Sequence, residues 1–338
     1  MKVLVTGGAG YVGSHTCKAL ARAGFAPVVY DDLSRGHAEA VKFGPLEVGD
    51  IRDEERLRSV ISRHRPEAVL HFAGLAYVAE SFSRMPDYYD VNVVGVWRLL
   101  AAMREARISR LVFSSSCAVY GDTCGQPCDE AMPLQPINPY GASKAAAEQL
   151  IRMHQAAHGL RAFVLRYFNA AGADPEGELG ENHDPETHLI PLAIKAALGG
   201  PPLRLLGVDY PTPDGSAIRD YVHVCDLAEA HVAAVTRLIE GAESETINLC
   251  AGRPASVLEI CDAVASAIGA APTVHVEQRR PGDPAKLCGI NARARTLLDW
   301  TPQRSDIDTI VRDAAIWLAG KGVDAQSTSR PEYGQAPG

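Results

Sequence analysis

A tyrosine and a lysine four residues apart, Tyr140 and Lys144, are the first side chains in the sequence that could do chemistry together. This spacing places both on one face of a helix, so they can reach the same reacting group. A free tyrosine has a pKa of about 10, but a nearby ammonium group favours the phenolate form. We therefore predict that Tyr140 is a general base supported by Lys144.

Three serines, Ser114–Ser116, follow an apolar run that has the composition of a buried strand. Ligands of open α/β sheets bind at the carboxyl ends of the strands, so Ser116 is expected to share a substrate hydroxyl with Tyr140. Considered separately, the serines could cap a turn, and Tyr140 and Lys144 could form a surface pair. The order of all these motifs along one strand–helix pattern favours the catalytic interpretation.

Three glycines, Gly7, Gly10 and Gly13, separate the first apolar run from a segment of helical period. They would allow a tight turn, a close approach of the backbone to a pyrophosphate, and close packing of the helix on the strand. The N-terminus of the helix would present free N–H groups to the phosphates. This loop predicts a dinucleotide cofactor.

The acidic residue that ends the second predicted strand, Asp31, identifies the dinucleotide. Its carboxylate can accept hydrogen bonds from the adenosine ribose hydroxyls and would repel a 2′-phosphate, which predicts NAD. Arg35 would suit NADP, and Asp31 with Asp32 would also suit a turn. Asp50 and Ile51 are predicted at the adenine. The cofactor is expected to cross the end of the fourth strand at Phe72, Ala73 and Gly74.

Apolar runs of strand length alternate with segments of helical period over residues 1–168. This alternation predicts an α/β fold, a doubly wound parallel sheet (Rossmann-like) with a smaller C-terminal α/β substrate lobe. Residues 1–168 would form the NAD-binding domain, to which residues 216–250 return. Residues 169–320, rich at first in glycine and proline, would mainly form the substrate lobe, and residues 321–338 a polar, frayed tail.

The bulk composition excludes several classes of protein. The 338-residue chain has a formal net charge of −8, which gives no reason to expect nucleic-acid binding. No apolar run reaches the roughly 20 residues of a membrane-spanning helix. Eight scattered cysteines and a first strand without a signal peptide indicate free thiols in the cytoplasm. Cys124 and Cys128 lack a third ligand at zinc spacing, so we predict no metal.

The motifs together resemble the UDP-glucose 4-epimerase family of extended short-chain dehydrogenases, from Met1 to about Leu318. The resemblance rests on GGAGYVGSHT, HFAGLAYVAES, FSSSCAVYG, NPYGASK, RYFNAAG, IRDYVHVCDLAEAH and RRPGD. It implies an enzyme that interconverts UDP-glucose and UDP-galactose through a transient 4-keto sugar on tightly bound NAD. Tyr140 would remove the proton of the 4-hydroxyl, and the keto sugar would rotate before it is reduced from its other face.

The resemblance also implies roles for individual residues. At the cofactor, in addition to Tyr140 and Lys144, these are Tyr11, Val12, Asn92, Ser114, Tyr167 and Phe168. At the UDP-sugar they are Ser116, Asn169, His188, Leu189, Leu206, Arg219, Tyr221, Arg280, Asp283 and Leu287. The residue types are suitable, because arginine forks bind pyrophosphate and a carboxylate accepts bonds from ribose hydroxyls.

Four positions depart from the family pattern. Ala76 stands where many members have a lysine near the cofactor, and His188 stands where an asparagine is common. Cys117 replaces the usual alanine, which we interpret as packing. Leu287 lies near the place where some members have a tyrosine that narrows the sugar pocket, so we expect more room there. We assign His188 no chemistry.

Three alternatives and one assembly remain open on the sequence. The segments AYVAES, SSSCAVYG and INPYG also resemble epimerases of UDP-xylose and UDP-arabinose. A sugar-nucleotide dehydratase or decarboxylase would need an acid beside the serines, where the sequence has Cys117. A non-catalytic NAD-binding sensor would be expected to lack Tyr140 or Lys144. Helices predicted over Tyr88–Arg107 and Tyr140–His158 carry more apolar residues than one packed face needs. In related enzymes such helices pair, which predicts a homodimer.

Overall fold

The computed structural model describes residues 1–279 and 283–327. Its strands in chain order are β1 (Lys2–Thr6), β2 (Ala26–Asp31), β3 (Leu46–Val48), β4 (Ala68–His71), β5 (Arg110–Ser116), β6 (Arg161–Tyr167), β7 (Asn169–Ala171), β8 (Leu203–Leu206), β9 (Ile218–Arg219), β10 (Tyr221–His223), β11 (Glu245–Leu249), β12 (Ala255–Ser256), β13 (Val274–Glu277) and β14 (Lys286–Leu287). Its helices are α1 (Tyr11–Arg22), α2 (Glu54–His64), α3 (Val78–Ser83), α4 (Met85–Tyr89), α5 (Gly95–Glu105), α6 (Pro139–His158), α7 (Leu189–Ala197), α8 (Val224–Ile239), α9 (Val257–Ile268), α10 (Ala292–Leu298) and α11 (Ile307–Ser327).

Seven parallel strands form the central sheet, in the spatial order β11, β6, β5, β4, β1, β2, β3. Their residues form nearly continuous apolar runs, as expected for strands that are buried on both faces. The connections run in opposite directions from β1 and from β4. Ligands of such sheets bind in the crevice outside the carboxyl ends at this switch point, which places the candidate site there.

Helices cover both faces of the sheet. One apolar cluster joins the sheet to α1, α8 and α10 through Leu20, Leu227 and Leu298. A second cluster joins the other face to α2, α5 and α6 through residues such as Leu57 and Leu99. The doubly wound parallel fold predicted from the alternation of strands and helices is confirmed.

The smaller lobe contains three short sheets, which pair β10 with β7, β9 with both β12 and β14, and β13 with β8. Helices α7, α9 and α11 pack around a third apolar cluster that includes Ile194, Ile260 and Ile310. Between these pieces the chain returns to the large sheet, where α8 packs on α1 and β11 adds the edge strand beside β6. Among the described residues no helix is long and apolar enough to cross a membrane.

Two predicted segments are wrong in detail. The single helix predicted over Tyr88–Arg107 is divided by a π-helical turn at Asp90–Val94, between α4 and α5. The turn contains no glycine or proline that would mark it in the sequence. The frayed tail predicted from residue 321 is helical as far as Ser327. The predicted tail begins directly after Gly320, but a glycine inside a helix costs only about 1 kcal/mol, so the helix can continue past it. Residues 328–338 of the predicted tail lie outside the described residues.

Candidate active site

The glycine loop joins β1 to α1 at the switch point of the sheet. Gly7 has a φ of 74°, and a Cβ there would overlap the backbone of Ala73 at the end of β4. A Cβ at Gly13 would overlap the carbonyl oxygen of Gly7, so glycine is what lets α1 begin this close to β1. Gly10 offers no side chain to cap α1, which leaves the first N–H groups of the helix available to a phosphate.

The first two residues of α1, Tyr11 and Val12, follow this loop directly. The Tyr11 hydroxyl donates to the carbonyl oxygen of Gly172 at 2.6 Å, which ties the start of α1 to the smaller lobe. The predicted pyrophosphate site therefore lies where the two lobes meet.

Asp31 ends β2 beside the glycine loop and is buried. Its carboxylate accepts bonds from the backbone N–H groups of Ala9 at 3.0 Å and Leu33 at 2.9 Å. Burial raises the pKa of Asp31, and the two hydrogen bonds oppose that shift. Asp32 accepts from the N–H and hydroxyl of Ser34, so it fixes the turn that follows. Asp31 lies at the position where the carboxylate that binds the adenosine ribose is expected.

The predicted adenine residues follow β3. The Asp50 carboxylate pairs with Arg52 at 2.6 Å, and its carbonyl oxygen accepts from the Tyr30 hydroxyl at 2.7 Å. Ile51 is buried, and a Cβ at Gly95 would press against its side chain. An ion-paired carboxylate and a buried isoleucine at the sheet edge suit the polar edge and the apolar face of an adenine.

The loop after β4 lies against α6. The N–H groups of Phe72 and Ala73 donate to the carbonyl oxygen of Thr6, which holds β4 beside β1. A Cβ at Gly74 would lie 2.9 Å from Oδ1 of Asn92 and 3.5 Å from Nζ of Lys144. A side chain at Gly74 would therefore crowd the groups predicted to hold the nicotinamide ribose.

Asn92 lies in the π-helical turn and is fully buried. Its Oδ1 accepts from the N–H of Leu75 at 2.9 Å. Its Nδ2 donates to the carbonyl oxygen of Leu75 and to the Ser143 hydroxyl, each at 3.0 Å. The π-helical turn thus directs the Asn92 amide towards the loop after β4 and towards α6. Asn92 positions the surroundings of Lys144 through these bonds.

The N-terminus of α6 is fixed by its own sequence. Asn138 caps it by accepting from the N–H of Gly141 at 2.8 Å, and Pro139 occupies the first turn. The helix then presents Tyr140 and Lys144 on the face that is buried against β5. Ser116, at the carboxyl end of β5, is close enough to Tyr140 for its hydroxyl to favour the phenolate. The three predicted catalytic side chains are therefore brought together.

Lys144 is buried, with its Nζ 3.0 Å from the carbonyl oxygen of Ser114 and 5.1 Å from the centre of the Phe113 ring. Burial lowers the pKa of Lys144 to about 8, and the Glu148 carboxylate opposes that shift. The remaining hydrogens of this ammonium group are suited to the ribose hydroxyls of a nicotinamide nucleotide.

Burial raises the pKa of Tyr140 well above its usual value, while the hydrogen bond with Ser116 acts in the opposite direction. The lowered pKa predicted for Tyr140 requires two cations, the Lys144 ammonium and the nicotinamide ring of NAD. In the protein alone desolvation outweighs the local stabilisation of the phenolate.

The residues at the ends of β5 and β6 complete the cofactor side. The Ser114 and Tyr167 hydroxyls are hydrogen-bonded to each other, and burial raises the pKa of Tyr167 to about 12. Phe168 is buried between β6 and β7, where a Cβ at Gly289 would overlap its ring. These side chains give the part of the site beside Lys144 a neutral and mostly apolar lining.

The predicted UDP-sugar residues gather on the short sheets of the smaller lobe. Arg219 is ion-paired with Asp283, 64 positions along the chain. Leu287 is the register partner of Arg219 in the adjacent strand. Asn169 and Tyr221 are register partners in the sheet of β7 and β10. The predicted residue Arg280 lies outside the described residues.

Leu206 ends β8 and adjoins a surface groove of about 610 Å³. The groove is lined by Gly207, Val208, Asp209, Val276, Glu277, Gln278 and Arg279. The ring of Tyr210, which no sequence motif indicated, is buried here with the Arg279 guanidinium 4.4 Å from its centre. Burial raises the pKa of Tyr210, and the Asp283 carboxylate adds to this shift while the Arg219 guanidinium opposes it.

His188 precedes α7 and Leu189, and it belongs to a cluster of two histidines and two glutamates. Its Nδ1 lies 2.6 Å from Glu181 and 3.0 Å from Glu186, and Nδ1 of His183 lies 3.0 Å from Glu181. The four ligand atoms are close enough for a metal ion. However, the Glu186 oxygen already accepts from the N–H groups of Thr187 and His188, and 2.6 Å is a hydrogen-bond length. We interpret the cluster as an ion-paired network.

The sequence interpretation missed two buried carboxylates at the site, Glu148 and Glu181. The position of Glu148, four residues after Lys144 on α6, was a usable signal. No spacing rule connects Glu181 to its partners, since an irregular loop brings them together. Cys117 is buried as predicted, and burial raises the pKa of its thiol to about 12.

Comparisons with known proteins agree with this geometry. Residues 3–250 match the NAD-dependent epimerase/dehydratase family. A UDP-glucose 4-epimerase from Rhizobium meliloti (strain 1021) is 50% identical over 93% of this chain and 96% of its own length. The structure of UDP-glucose 4-epimerase from Brucella ovis in complex with NAD is 49% identical, with a TM-score of 0.91 over 93% of this chain and 97% of that one.

A third relative was solved with a sugar nucleotide. The UDP-glucose 4-epimerase from Stenotrophomonas maltophila, with bound NAD and formylated UDP-arabinopyranose, is 36% identical. Its TM-score is 0.92 over 96% of this chain and 99% of that one. Both the resemblance of motifs and the prediction of NAD as the cofactor are thereby confirmed. The chain is a member of the NAD-dependent epimerase/dehydratase family and, within it, of the UDP-glucose 4-epimerases.

Proposed function

We propose that this protein interconverts UDP-glucose and UDP-galactose. The observation that carries the proposal is the convergence of three buried side chains at the carboxyl end of β5: Ser116, Tyr140 and Lys144, whose Nζ lies 3.0 Å from the carbonyl oxygen of Ser114. A base, a hydroxyl-orienting serine and a lysine at a dinucleotide site are the groups needed to oxidise and re-reduce a secondary alcohol.

Bound NAD supplies a hydride acceptor and donor, so that the net reaction consumes no cofactor. The glycine loop with Tyr11 and Val12 would hold its pyrophosphate, Asp31 its adenosine ribose, and Lys144 its nicotinamide ribose. Tyr140 would accept the proton of the 4-hydroxyl while Ser116 orients that hydroxyl. The same tyrosine would return the proton after the keto sugar has turned.

The sugar must rotate in the site, so binding energy has to come from the nucleotide part of the substrate. Arg219 and Asp283 are suited to this, because they could exchange their mutual ion pair for bonds to the pyrophosphate and to the uridine ribose. Arg280, by its motif, would add a second guanidinium. The groove beside Leu206 would hold the uracil.

The test uses purified protein without added NAD. Incubated separately with UDP-glucose, UDP-xylose and UDP-N-acetylglucosamine, the protein is expected to convert UDP-glucose to UDP-galactose, with products identified by NMR. Denaturation should release NAD or NADH in an amount close to that of the protein. Release of NADP alone would contradict the role of Asp31, and turnover of pentose substrates alone would favour the UDP-xylose/UDP-arabinose alternative.

Leu287 bears on the width of the sugar pocket. It is buried in the apolar cluster that also contains Cys117 and Phe168, at the end of the serine strand. A leucine here leaves more space than a tyrosine, so we expect weak activity on UDP-N-acetylglucosamine besides UDP-glucose. A Leu287→Tyr variant should lose the acetylated activity and keep the other. Equal loss of both activities would show that Leu287 lies elsewhere.

Three further proposals concern the whole chain. Residues 1–168 with 216–250 would form the NAD-binding domain, and residues 169–320 mainly the UDP-sugar lobe. All eight cysteines are free, which supports a cytoplasmic location. A homodimer would form through α5 and α6, on which Trp97 and Met153 are each more than half exposed. Large exposed apolar side chains on two packed helices are expected where a second copy covers them.

A further inference from the structure

Glu148 lies on α6 one turn after Lys144 and is completely buried. Its Oε1 accepts from the Ser115 hydroxyl at 2.6 Å and from Nε of Arg166 at 2.9 Å. Its Oε2 accepts from Nη2 of Arg166 at 2.6 Å. A buried carboxylate is stable only when its charge and its lone pairs are satisfied in this way.

These bonds join the three elements that carry the catalytic groups. Ser115 stands in β5 between Ser114, which is hydrogen-bonded to Tyr167, and Ser116, whose hydroxyl acts on Tyr140. Arg166 precedes Tyr167 in β6. One carboxylate of α6 therefore fixes the register of the helix that carries the base against the strand that carries the serine.

The network continues away from the site and is anchored in the sheet. Nη1 of Arg166 donates to the Tyr120 hydroxyl at 3.0 Å, and its guanidinium lies 5.1 Å from the centre of that ring. The Tyr120 hydroxyl donates to Oδ1 of Asn248 in β11 at 2.7 Å. Because each member has a partner, Glu148 has little freedom to move when the sugar turns.

The charge of Glu148 also reaches Lys144. Burial lowers the pKa of Lys144 to about 8, and Glu148 is the acid that acts against this shift. His71, which faces Lys144 from β4, is neutral, because burial and Lys144 lower its pKa to about 3. Arg166 and, at 3.6 Å, Arg152 face Glu148 itself. Among the described charged groups, Glu148 is the one that favours an ammonium at Lys144.

We propose that Glu148 is a positioning residue for the 4-epimerase reaction, which holds α6 in register with β5 and keeps Lys144 charged beside the nicotinamide ribose. The inference rests on the proposed function. The proposed role goes beyond that of a structural ion pair. An ion pair that only stabilises the fold would have no influence on the ionisation of the active site.

The test compares Glu148→Gln and Glu148→Asp with the wild type in pH profiles of kcat and KM for UDP-glucose, from pH 6 to 10. Glu148→Gln removes the charge, so the alkaline limb of kcat should move to lower pH by about one unit, as expected for a charge in a partly desolvated site. KM should change little, since Glu148 lies away from the nucleotide residues. Glu148→Asp keeps the charge and should restore the wild-type limb even where its kcat is reduced.

The matched control is Glu47→Gln, since Glu47 is also a buried carboxylate with arginine partners, Arg56 and Arg63, but lies at the far edge of the sheet. It should lose thermal stability without a shift of the limb. An unmoved limb in Glu148→Gln, with kcat reduced equally at every pH, would overturn the proposal. If Glu148→Gln does not fold, the test uses Glu148→Asp, which keeps the charge. An alkaline limb of kcat that is displaced from the wild type in this variant would also overturn the proposal. A wild type without epimerase activity would instead overturn the proposed function.

Discussion

At Tyr140, burial and hydrogen bonding act on the same phenol in opposite directions. Desolvation raises the pKa of Tyr140, and the bond with Ser116 recovers only part of the cost of the phenolate. Tyr140 is therefore a protonated phenol, which cannot accept a proton, until a positive ring lies beside it. In the proposed reaction the same burial would favour the protonated phenol once it has taken the substrate proton and that positive charge has gone. This balance suits a group that must take up one proton and return it.

Replacing Tyr140 by phenylalanine tests this role. The ring remains and can still pack against Tyr88, whose ring centre lies 6.4 Å away, so the fold should be kept. We expect kcat for UDP-glucose to fall about 10²–10⁴-fold, as is typical when an acid–base group is removed. Thermal unfolding and the NAD released on denaturation should match the wild type. A rate near that of the wild type would show that another group is the base.

The pair of Glu181 and His188 makes stability depend on pH. Burial raises the pKa of Glu181, but His188 and His183 outweigh it and lower the value to about 2. Burial lowers the pKa of His188, but Glu181 and Glu186 raise it to about 10. The pair should stabilise the fold fully between about pH 4.5 and 6.5. The contribution is lost as pH falls through 2, where Glu181 is protonated, and as pH rises through 10, where His188 loses its proton.

A Glu181→Gln variant measures this contribution. Its melting temperature should lie furthest below that of the wild type near pH 6, and the difference should shrink by pH 10. Glu176→Gln is the control, because Glu176 pairs with Lys18 and Arg22, which keep their charges over this range. Its difference from the wild type should be constant with pH. A constant difference for Glu181→Gln as well would contradict the charged state of His188.

At the scale of elements, the β1–α1 unit is expected to position the cofactor, because its glycines bring backbone close to backbone. The carbonyl oxygen of Gly7 lies where a side chain at Gly13 would begin, and the Gly7 backbone itself meets the end of β4. The predicted pyrophosphate site thus depends on the close packing of the glycine loop, the start of α1 and the end of β4, which leaves no room for a Cβ.

In a Gly13→Ala variant, the added Cβ should push the start of α1 away from the glycine loop. We expect a loss of about 1–3 kcal/mol in the free energy of unfolding, as for overpacked cores, together with loss of retained NAD. Denaturant unfolding and nucleotide release provide the measurements. Gly320→Ala is the control, since a Cβ there meets open space and alanine favours the helix. Retention of NAD by Gly13→Ala at wild-type levels would be inconsistent with the proposed role of the loop.

At the scale of the whole molecule, the two faces of the sheet differ in what covers them. The face under α1 and α8 is closed by the smaller lobe, through contacts such as that of Lys18 with Asp174 at 2.6 Å. On the other face α5 and α6 are outermost, with Trp97 54% and Met153 53% exposed. A second copy that pairs through these helices would bury both side chains.

Light scattering should therefore give the mass of a dimer at micromolar concentration. Trp97→Glu should shift the protein towards monomer, because a charge would be buried at the centre of the contact. Ile316→Glu on α11, where the replaced side chain is equally exposed, should leave the dimer intact. A wild type that is monomeric at this concentration would refute the homodimer.

Much of the site could be predicted because its signals are local. The alternation of apolar runs predicted the sheet and most of its helices. Asn138 and Pro139 mark the start of α6, directly before the proposed base Tyr140. The π-helical turn at Asp90–Val94 could not be predicted in this way, because it contains no glycine or proline that would mark a change of helix geometry. The continuation of α11 to Ser327 was missed because one glycine is a weak end signal.

The sequence by itself determined the local devices of this protein: the glycine loop, the acid that ends β2, the serines of β5, and the tyrosine and lysine at helical spacing. Only the tertiary structure decided which charges are partners, as for the buried Glu148 with Arg166 and the partly exposed Arg219 with Asp283. It also decided that burial raises the pKa of Tyr140. The physical reason is that spacing acts over a few residues, whereas desolvation and ion pairing depend on every segment that packs around a group.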